Sequence, residues 1–151
     1  MKTALVTGAA GFIGSNLVRE LLDRGYFVRG LDNLSTGKLE NLETIRENDQ
    51  FEFVEGDFRE TETVEGVMAD VDYVFHQGAV PSVPRSVDDP QLTAEANCLG
   101  TTNLLVAARD ADVDTVVVAS SSSVYGSSDE LPKHEAMPTN PESPYALSKY
   151  W

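Results

Sequence analysis

The chain is poor in cysteine, in lysine and in long apolar runs, and each scarcity excludes something. Cys98 is the only cysteine, so no intramolecular disulfide can staple the fold; such usage suits the cytoplasm. No stretch approaches the roughly 18 apolar residues of a membrane helix. Residues 1–6 have the brevity of a signal-peptide start, but Gly8, Gly11 and Gly14 interrupt the apolar region and no convincing cleavage site follows. Bases are outnumbered, 11 against 25 acids for a net charge of −14, and lysine occurs only at Lys2, Lys38, Lys133 and Lys149. That balance disfavours binding to nucleic acid or to anionic lipid. An ordinary acidic enzyme would show it; so would a protein of a high-salt cytoplasm, whose carboxylates keep the surface hydrated while salt screens their repulsion, and the second reading is the favoured one. Repeats and low-complexity tracts are absent. So is any plausible His/Cys/Asp cluster, and no metal site is expected.

What is present is an alternation of two periodicities over 151 residues, a length sufficient for one domain with a core. Short β-type runs are expected at residues 4–6, 26–31, 51–55, 72–75 and 115–119. Helical spacing appears over 12–24, with Phe12, Ile13, Leu17, Leu21 and Leu22 apolar, and Gly25 stands where a helix would stop. Further helices are expected over 39–46, 61–68 and 89–111, the last with Leu92, Ala96, Leu99, Leu104 and Ala108 inward; another begins at Tyr145. The stretch 126–144 is rich in Pro, Ser and acids and reads as loop. Strands alternating with helices, and β-branched runs such as Val116-Val117-Val118, predict an α/β fold: a doubly wound parallel sheet covered on both faces, with ligands at the carboxyl ends of the strands. The chain stops at Trp151 inside a predicted helix. The expectation is a fragment, a nucleotide-binding domain over 1–151 whose last strands and substrate domain lie elsewhere, and which is inactive alone.

The glycine-rich segment Thr7-Gly8-Ala9-Ala10-Gly11-Phe12-Ile13-Gly14 joins the first strand to the first helix. Gly8 would permit the tight turn, Gly11 the approach of a pyrophosphate, and Gly14 close packing; the helix N-terminus offers amide N–H groups and a favourable dipole. Asp32 follows 18 residues after Gly14. A carboxylate there accepts both hydroxyls of an adenosine ribose and repels a 2′-phosphate, which favours NAD over NADP, although Arg29 and Lys38 could soften the preference. Gly56-Asp57-Phe58 ends the third strand, where an adenine could meet the Asp57 carboxylate and the Phe58 backbone.

Tyr145 and Lys149 are spaced i, i+4, so a helix puts them on one face. An adjacent ammonium stabilises a phenolate and makes tyrosine usable as a base. Alone the pair means little; it gains meaning from Ser120-Ser121-Ser122-Ser123-Val124-Tyr125-Gly126 at the end of the fifth strand, where hydroxyls could relay a proton or hold a substrate oxygen. At least one of these serines is expected to serve the turn alone.

Taken in order, the glycine loop, Asp32-Asn33-Leu34, Gly56-Asp57, His76-Gln77-Gly78-Ala79, Asn97 with Gly100-Thr101, the Ser-Val-Tyr-Gly stretch and Ser143-Pro144-Tyr145-Ala146-Leu147-Ser148-Lys149 resemble the NAD-dependent epimerase/dehydratase family of extended short-chain dehydrogenases. Within it, Ser82-Val83-Pro84-Arg85-Ser86 and Leu131-Pro132-Lys133 are similar to the UDP-N-acetylglucosamine 4-epimerases, with UDP-glucose 4-epimerases near by. The resemblance implies a catalytic Ser121, Tyr145 and Lys149. It implies an NAD site made of Gly8, Gly11, Phe12, Ile13, Gly14, Asp32, Asn33, Ser35, Thr36, Gly37, Asp57, Phe58, Gln77, Gly78, Ala79, Asn97, Ser120, Tyr145 and Lys149. A UDP-sugar would meet Ser82, Ser121, Ser122, Ser123 and Tyr145. Related dehydratases and decarboxylases usually carry an acid just before the Val-Tyr-Gly step; Ser122 and Ser123 stand here, a departure that argues against dehydration and leaves room for an N-acetyl group. Gly78, where alanine is common, reads as a harmless departure. His76 is expected to brace the loop and His134 to sit in an exposed loop. The family also implies a homodimer through the 89–111 helix and the helix at Tyr145, with Cys98 packed near it.

Overall fold

The computed structural model describes residues 1–151. Five strands, β1 (Thr3–Thr7), β2 (Phe27–Asp32), β3 (Phe51–Glu55), β4 (Tyr73–His76) and β5 (Thr115–Val118), alternate with six α-helices: α1 (Phe12–Asp23), α2 (Thr61–Val67), α3 (Val83–Asp88), α4 (Pro90–Ala94), α5 (Thr101–Asp110) and α6 (Pro144–Tyr150). Two compact units divide them. One is Met1–Gly78 with Gly100–Val118; the other is Ala79–Leu99 with Ala119–Trp151. No helix is long and apolar enough to cross a membrane.

The first unit holds the sheet, wholly parallel and ordered β3-β2-β1-β4-β5. The chain winds outward from β1 to β3, then returns to the other side of β1 for β4 and β5. This is the doubly wound Rossmann arrangement expected, and its winding reverses between β1 and β4, where Thr7 pairs with His76. Alternation along β1 sends Ala4 and Val6 to one face, against Val18, Leu21 and Leu22 of α1, and Leu5 to the other, against Val64 and Val67 of α2 and Leu104, Ala107 and Ala108 of α5. Both faces of the central strands are therefore covered. On β5, Val117 and Val118 are 46% and 44% exposed.

α1 begins and ends where its sequence places it. Tyr26 N donates to the Leu21 carbonyl and Gly25 N to that of Leu22, with Gly25 at φ +80°, so the helix closes in a Schellman turn. Phe12 and Ile13, counted with the apolar stripe, are 84% and 64% exposed; Gly14, Ser15, Val18, Leu21 and Leu22 make the buried face instead. The expected helix over 39–46 is a single 3₁₀ turn, Leu39–Leu42, followed by turns. Its bonds span three residues (Glu43 N to the Glu40 carbonyl, Ile45 N to that of Leu42), and only Leu42 is buried, too little apolar surface to hold an α-helix.

The expected 89–111 helix is three segments, α4, a π-helical stretch over Glu95–Gly100, and α5. The wider π turn shifts the phase of the stripe: Ala96, Leu104 and Ala108 are buried as expected, but Leu99 is 61% exposed and Asn97 takes the inward position. α3 has no apolar stripe to mark it in the sequence, and its Val83 and Val87 are both exposed. In the second unit α6 packs against α3, α4 and the 3₁₀ turn Ser122–Tyr125. It starts one residue earlier than predicted, since Pro144 fits the first helical position and the Ser143 hydroxyl caps it, accepting from Ala146 N at 3.0 Å.

Candidate functional site

Two glycines flanking the loop between β1 and α1, Gly8 and Gly14, leave no room for a side chain. Gly8 sits at φ +67°, and a Cβ there would lie 2.8 Å from the backbone nitrogen of Gly78. Gly11 N donates to the Gly8 carbonyl at 3.0 Å, closing the turn. A Cβ on Gly14 would overlap that same carbonyl, so Gly14 serves contact between helix and loop rather than between helix and strand. No side chain caps α1 and no acid lies in its first turn, although the chain carries 25 acids. The first-turn amides, with Phe12 and Ile13 exposed over them, form a positive cradle suited to a diphosphate.

Asp32 is the last residue of β2 and nearly buried. Its Oδ2 accepts from Ala10 N at 3.0 Å and its Oδ1 from Leu34 N at 2.8 Å, so it ties the glycine loop to the following turn. A side chain at Gly37 would press on both oxygens at 2.9 Å. The carboxylate is thus pinned, with further acceptor capacity for ribose hydroxyls. Asn33 accepts from Ser35 N and donates to Asp57 Oδ2 at 2.8 Å; Ser35 and Thr36 are exposed beside it. Arg29, considered beside Asp32 for its charge, has partners of its own. It bonds Glu52 and the Val67 and Ala69 carbonyls. Asp57 is gripped by Arg59, whose guanidinium, with Arg59 N and Asn33, holds the carboxyl down to about 2.

His76 braces the site as expected. Its Nδ1 lies 2.6 Å from Thr7 Oγ1 and its Nε2 2.9 Å from Thr101 Oγ1, with the ring fully buried. Thr7 Oγ1 also accepts from Gly78 N at 3.0 Å. One threonine therefore links the ends of β1 and β4 at the winding reversal, a role with no signal in the sequence. The departure to glycine at position 78 is accommodated by its surroundings. A Cβ there would lie 2.7 Å from the Phe58 ring, which also fills the space above Gly100 and meets His76 edge-on, centroids 5.1 Å apart. Gln77 follows β4 beside Gly8, the carbonyl carbon of Gln77 being 3.1 Å from a Cβ at that glycine.

The second unit holds the other expected residues. Tyr145 and Lys149 lie one turn apart on α6. Lys149 Nζ donates to the Ala119 carbonyl at 3.1 Å, and Ser120 Oγ donates to the Lys149 carbonyl at 3.0 Å, so the segment after β5 and the end of α6 clasp each other. Burial pushes the Lys149 ammonium below the usual lysine range, with Cys98 acting in the opposite sense; burial pushes the Cys98 thiol up. The serine that forms the turn is Ser121 itself: its Oγ accepts from Ser123 N at 3.2 Å and bonds Ser123 Oγ at 3.0 Å. Ser122 lies in the same 3₁₀ turn. Ser82 caps α3 at the unusual φ of +96°. Asn97, expected at a cofactor, spends its buried side-chain amide on the protein: Oδ1 accepts from Val80 N at 2.8 Å, and Nδ2 donates to the Val80 carbonyl and to Ser148 Oγ at 3.0 Å. Ala79 opens the segment that Asn97 holds.

Residues 4–151 match the family model described as NAD dependent epimerase/dehydratase family. Among curated proteins, the UDP-glucose 4-epimerase of Mycolicibacterium smegmatis is 50% identical over 148 residues, covering 96% of this chain and 47% of that protein. Among solved structures, the UDP-N-acetylglucosamine 4-epimerase of Methanobrevibacter ruminantium, in complex with UDP-N-acetylmuramic acid, superposes with a TM-score of 0.92 at 37% identity, over 99% of this chain and 47% of that one. The dTDP-glucose 4,6-dehydratase of Streptomyces venezuelae, solved with NAD, gives 0.92 at 39% identity, over 98% and 48%. The chain spans about half the length of the curated relatives it matches.

Proposed function

Since this chain belongs to the NAD-dependent epimerase/dehydratase family, we propose that its 151 residues are the cofactor-binding part of a nucleotide-sugar 4-epimerase, interconverting UDP-N-acetylglucosamine and UDP-N-acetylgalactosamine, or UDP-glucose and UDP-galactose. The residues present fit NAD: an uncapped, acid-free helix N-terminus behind glycines that a Cβ would block, and a pinned carboxylate at Asp32 for the ribose. When bound, NAD supplies a reversible acceptor for hydride. Tyr145 takes the proton of the sugar C4 hydroxyl and returns it after the ring has turned. Lys149 stabilises the phenolate by its charge, and Ser121 holds the C4 oxygen. Binding of the UDP part, with Ser82, Ser122 and Ser123 near the sugar, keeps the substrate in place while it reorients.

The observation that carries epimerisation over elimination is the 3₁₀ turn Ser122–Tyr125, which brings hydroxyls and no carboxylate to the step before Val124. A dehydratase reading has its own support in the similarity to the dTDP-glucose 4,6-dehydratase. Mass balance on the complete enzyme decides between them, with each UDP-sugar supplied separately and NADH followed by absorbance. A C4 epimer of unchanged mass without stoichiometric NADH is expected. Loss of water, or accumulating NADH, would overturn the reading. The same proposal includes a homodimer, for which Leu99, Leu147 and Tyr150 are exposed apolar residues, and a cytoplasmic, high-salt setting for the acidic surface.

A further inference from the structure

We infer that Ser148, a residue with no assigned part in the reaction, is the positioning residue that fixes the Tyr145 turn of α6 to the segment at Val80. Ser148 is 7% exposed, and its hydroxyl both accepts and donates. It accepts from Asn97 Nδ2 at 3.0 Å and donates to the Tyr145 carbonyl at 2.8 Å. Asn97 is 4% exposed, and its remaining polar contacts include both backbone groups of Val80. The result is a continuous buried path, Val80 to Asn97 to Ser148 to Tyr145, reaching from the loop that precedes Ser82 to the backbone of the reactive tyrosine. α6 carries Tyr145 in its first turn. Ser143 pins its first turn from outside, and Ser148 pins the carbonyl of Tyr145 from inside.

The π-helical stretch makes the contact available. Widening the helix over Glu95–Gly100 turns Asn97 inward and Leu99 outward, and the inward amide needs partners that an apolar neighbour could not give. Alanine at position 148 would leave the Asn97 N–H without its serine and free the Tyr145 carbonyl of one tether, without touching any group that meets substrate.

This inference rests on the proposed epimerase reading, so the wild-type enzyme is the first control. In the complete enzyme, Ser148→Ala is expected to lower kcat about tenfold or more, because small misplacements of a reacting group are that costly, while KM for the UDP-sugar and bound NAD stay near wild type. Ser148→Thr keeps the hydroxyl and is expected to recover most of the loss. A purely structural role would lower the amount of folded enzyme and leave kcat per NAD-loaded site unchanged; that result overturns the inference. Should the wild type show no epimerase activity with NAD bound, the functional reading fails first. Amide hydrogen exchange on the 151-residue chain then decides for Ser148: faster exchange in Ser148→Ala confined to α6 sustains the positioning role, and unchanged α6 exchange refutes it.

Discussion

Thr7→Val tests the strut at the winding reversal. Valine has nearly the shape of threonine, so no cavity opens at this fully buried position, and the change isolates one hydroxyl. That oxygen accepts from Gly78 N at 3.0 Å and lies 2.6 Å from His76 Nδ1. Its loss strands one buried backbone donor and deprives a buried ring nitrogen of a partner. An unsatisfied buried polar group costs about 1–3 kcal/mol, and the two share one partner and are not strictly additive, so about 2–4 kcal/mol is expected. For a domain of this size that is a fall in Tm of roughly 5–15 °C. Thr7→Ser keeps the oxygen and removes one methyl, at about 1 kcal/mol. Urea unfolding followed by circular dichroism reads both variants. Thr7→Val within about 0.5 kcal/mol of wild type, or no more affected than Thr7→Ser, would refute the strut, since both outcomes place the energy in packing.

Gly78→Ala puts a methyl 2.7 Å from the Phe58 ring and should cost about 1–3 kcal/mol by overpacking, a penalty relieved when Phe58→Leu is combined with it; additive penalties in chemical denaturation would count against this account. Asp57 titrates near 2 in the fold, below its unfolded value of about 4, so its stabilisation is complete above about pH 4 and is lost as pH falls through about 2. Arg59→Ala should raise that midpoint, read from the Asp57 carboxyl carbon by NMR; an unmoved midpoint would show that the guanidinium is not the cause. Asp32→Asn keeps the shape and removes the charge, and should weaken NAD about tenfold while narrowing the margin over NADP, in parallel fluorescence titrations. NADP binding more tightly than NAD to the unaltered chain would reverse the cofactor reading. With 25 acids against 11 bases, the melting temperature should rise as KCl approaches molar concentration, and a maximum in dilute buffer would sink the high-salt reading.

The order of elements was legible because each carries local information. Ala4 to Val6 is a short apolar run closed by Thr7 and Gly8, α1 has its stop at Gly25, and the alternation of strand and helix permits few topologies. The glycine loop and Asp32 were legible for the same reason, since backbone geometry at Gly8 and a strand-end carboxylate are properties of short segments. Phase errors arose where neighbours decide. The spacing of Leu92, Ala96 and Leu99 assumes a constant turn, and a π stretch widens it, which puts Leu99 outside and Asn97 inside. Leu39 to Arg46 has helical spacing, but only Leu42 is buried, with Ile45 partly buried against the same core.

The sequence alone determined the strand–loop–helix cradle, the pairing of Tyr145 with Lys149 by helical spacing and the surplus of acids, because each depends on residues a few positions apart or on composition. Only the tertiary structure decided what the polar side chains are bonded to. Thr7 reaches His76 and Gly78, about 70 positions away; Arg29 turns to Glu52 and the α2 end; Asn97 and Ser148, 51 positions apart, meet in the second unit. Hydrogen-bond partners are set by proximity in space, which no local pattern encodes, and burial makes the pairings of Thr7, Asn97 and Ser148 obligatory.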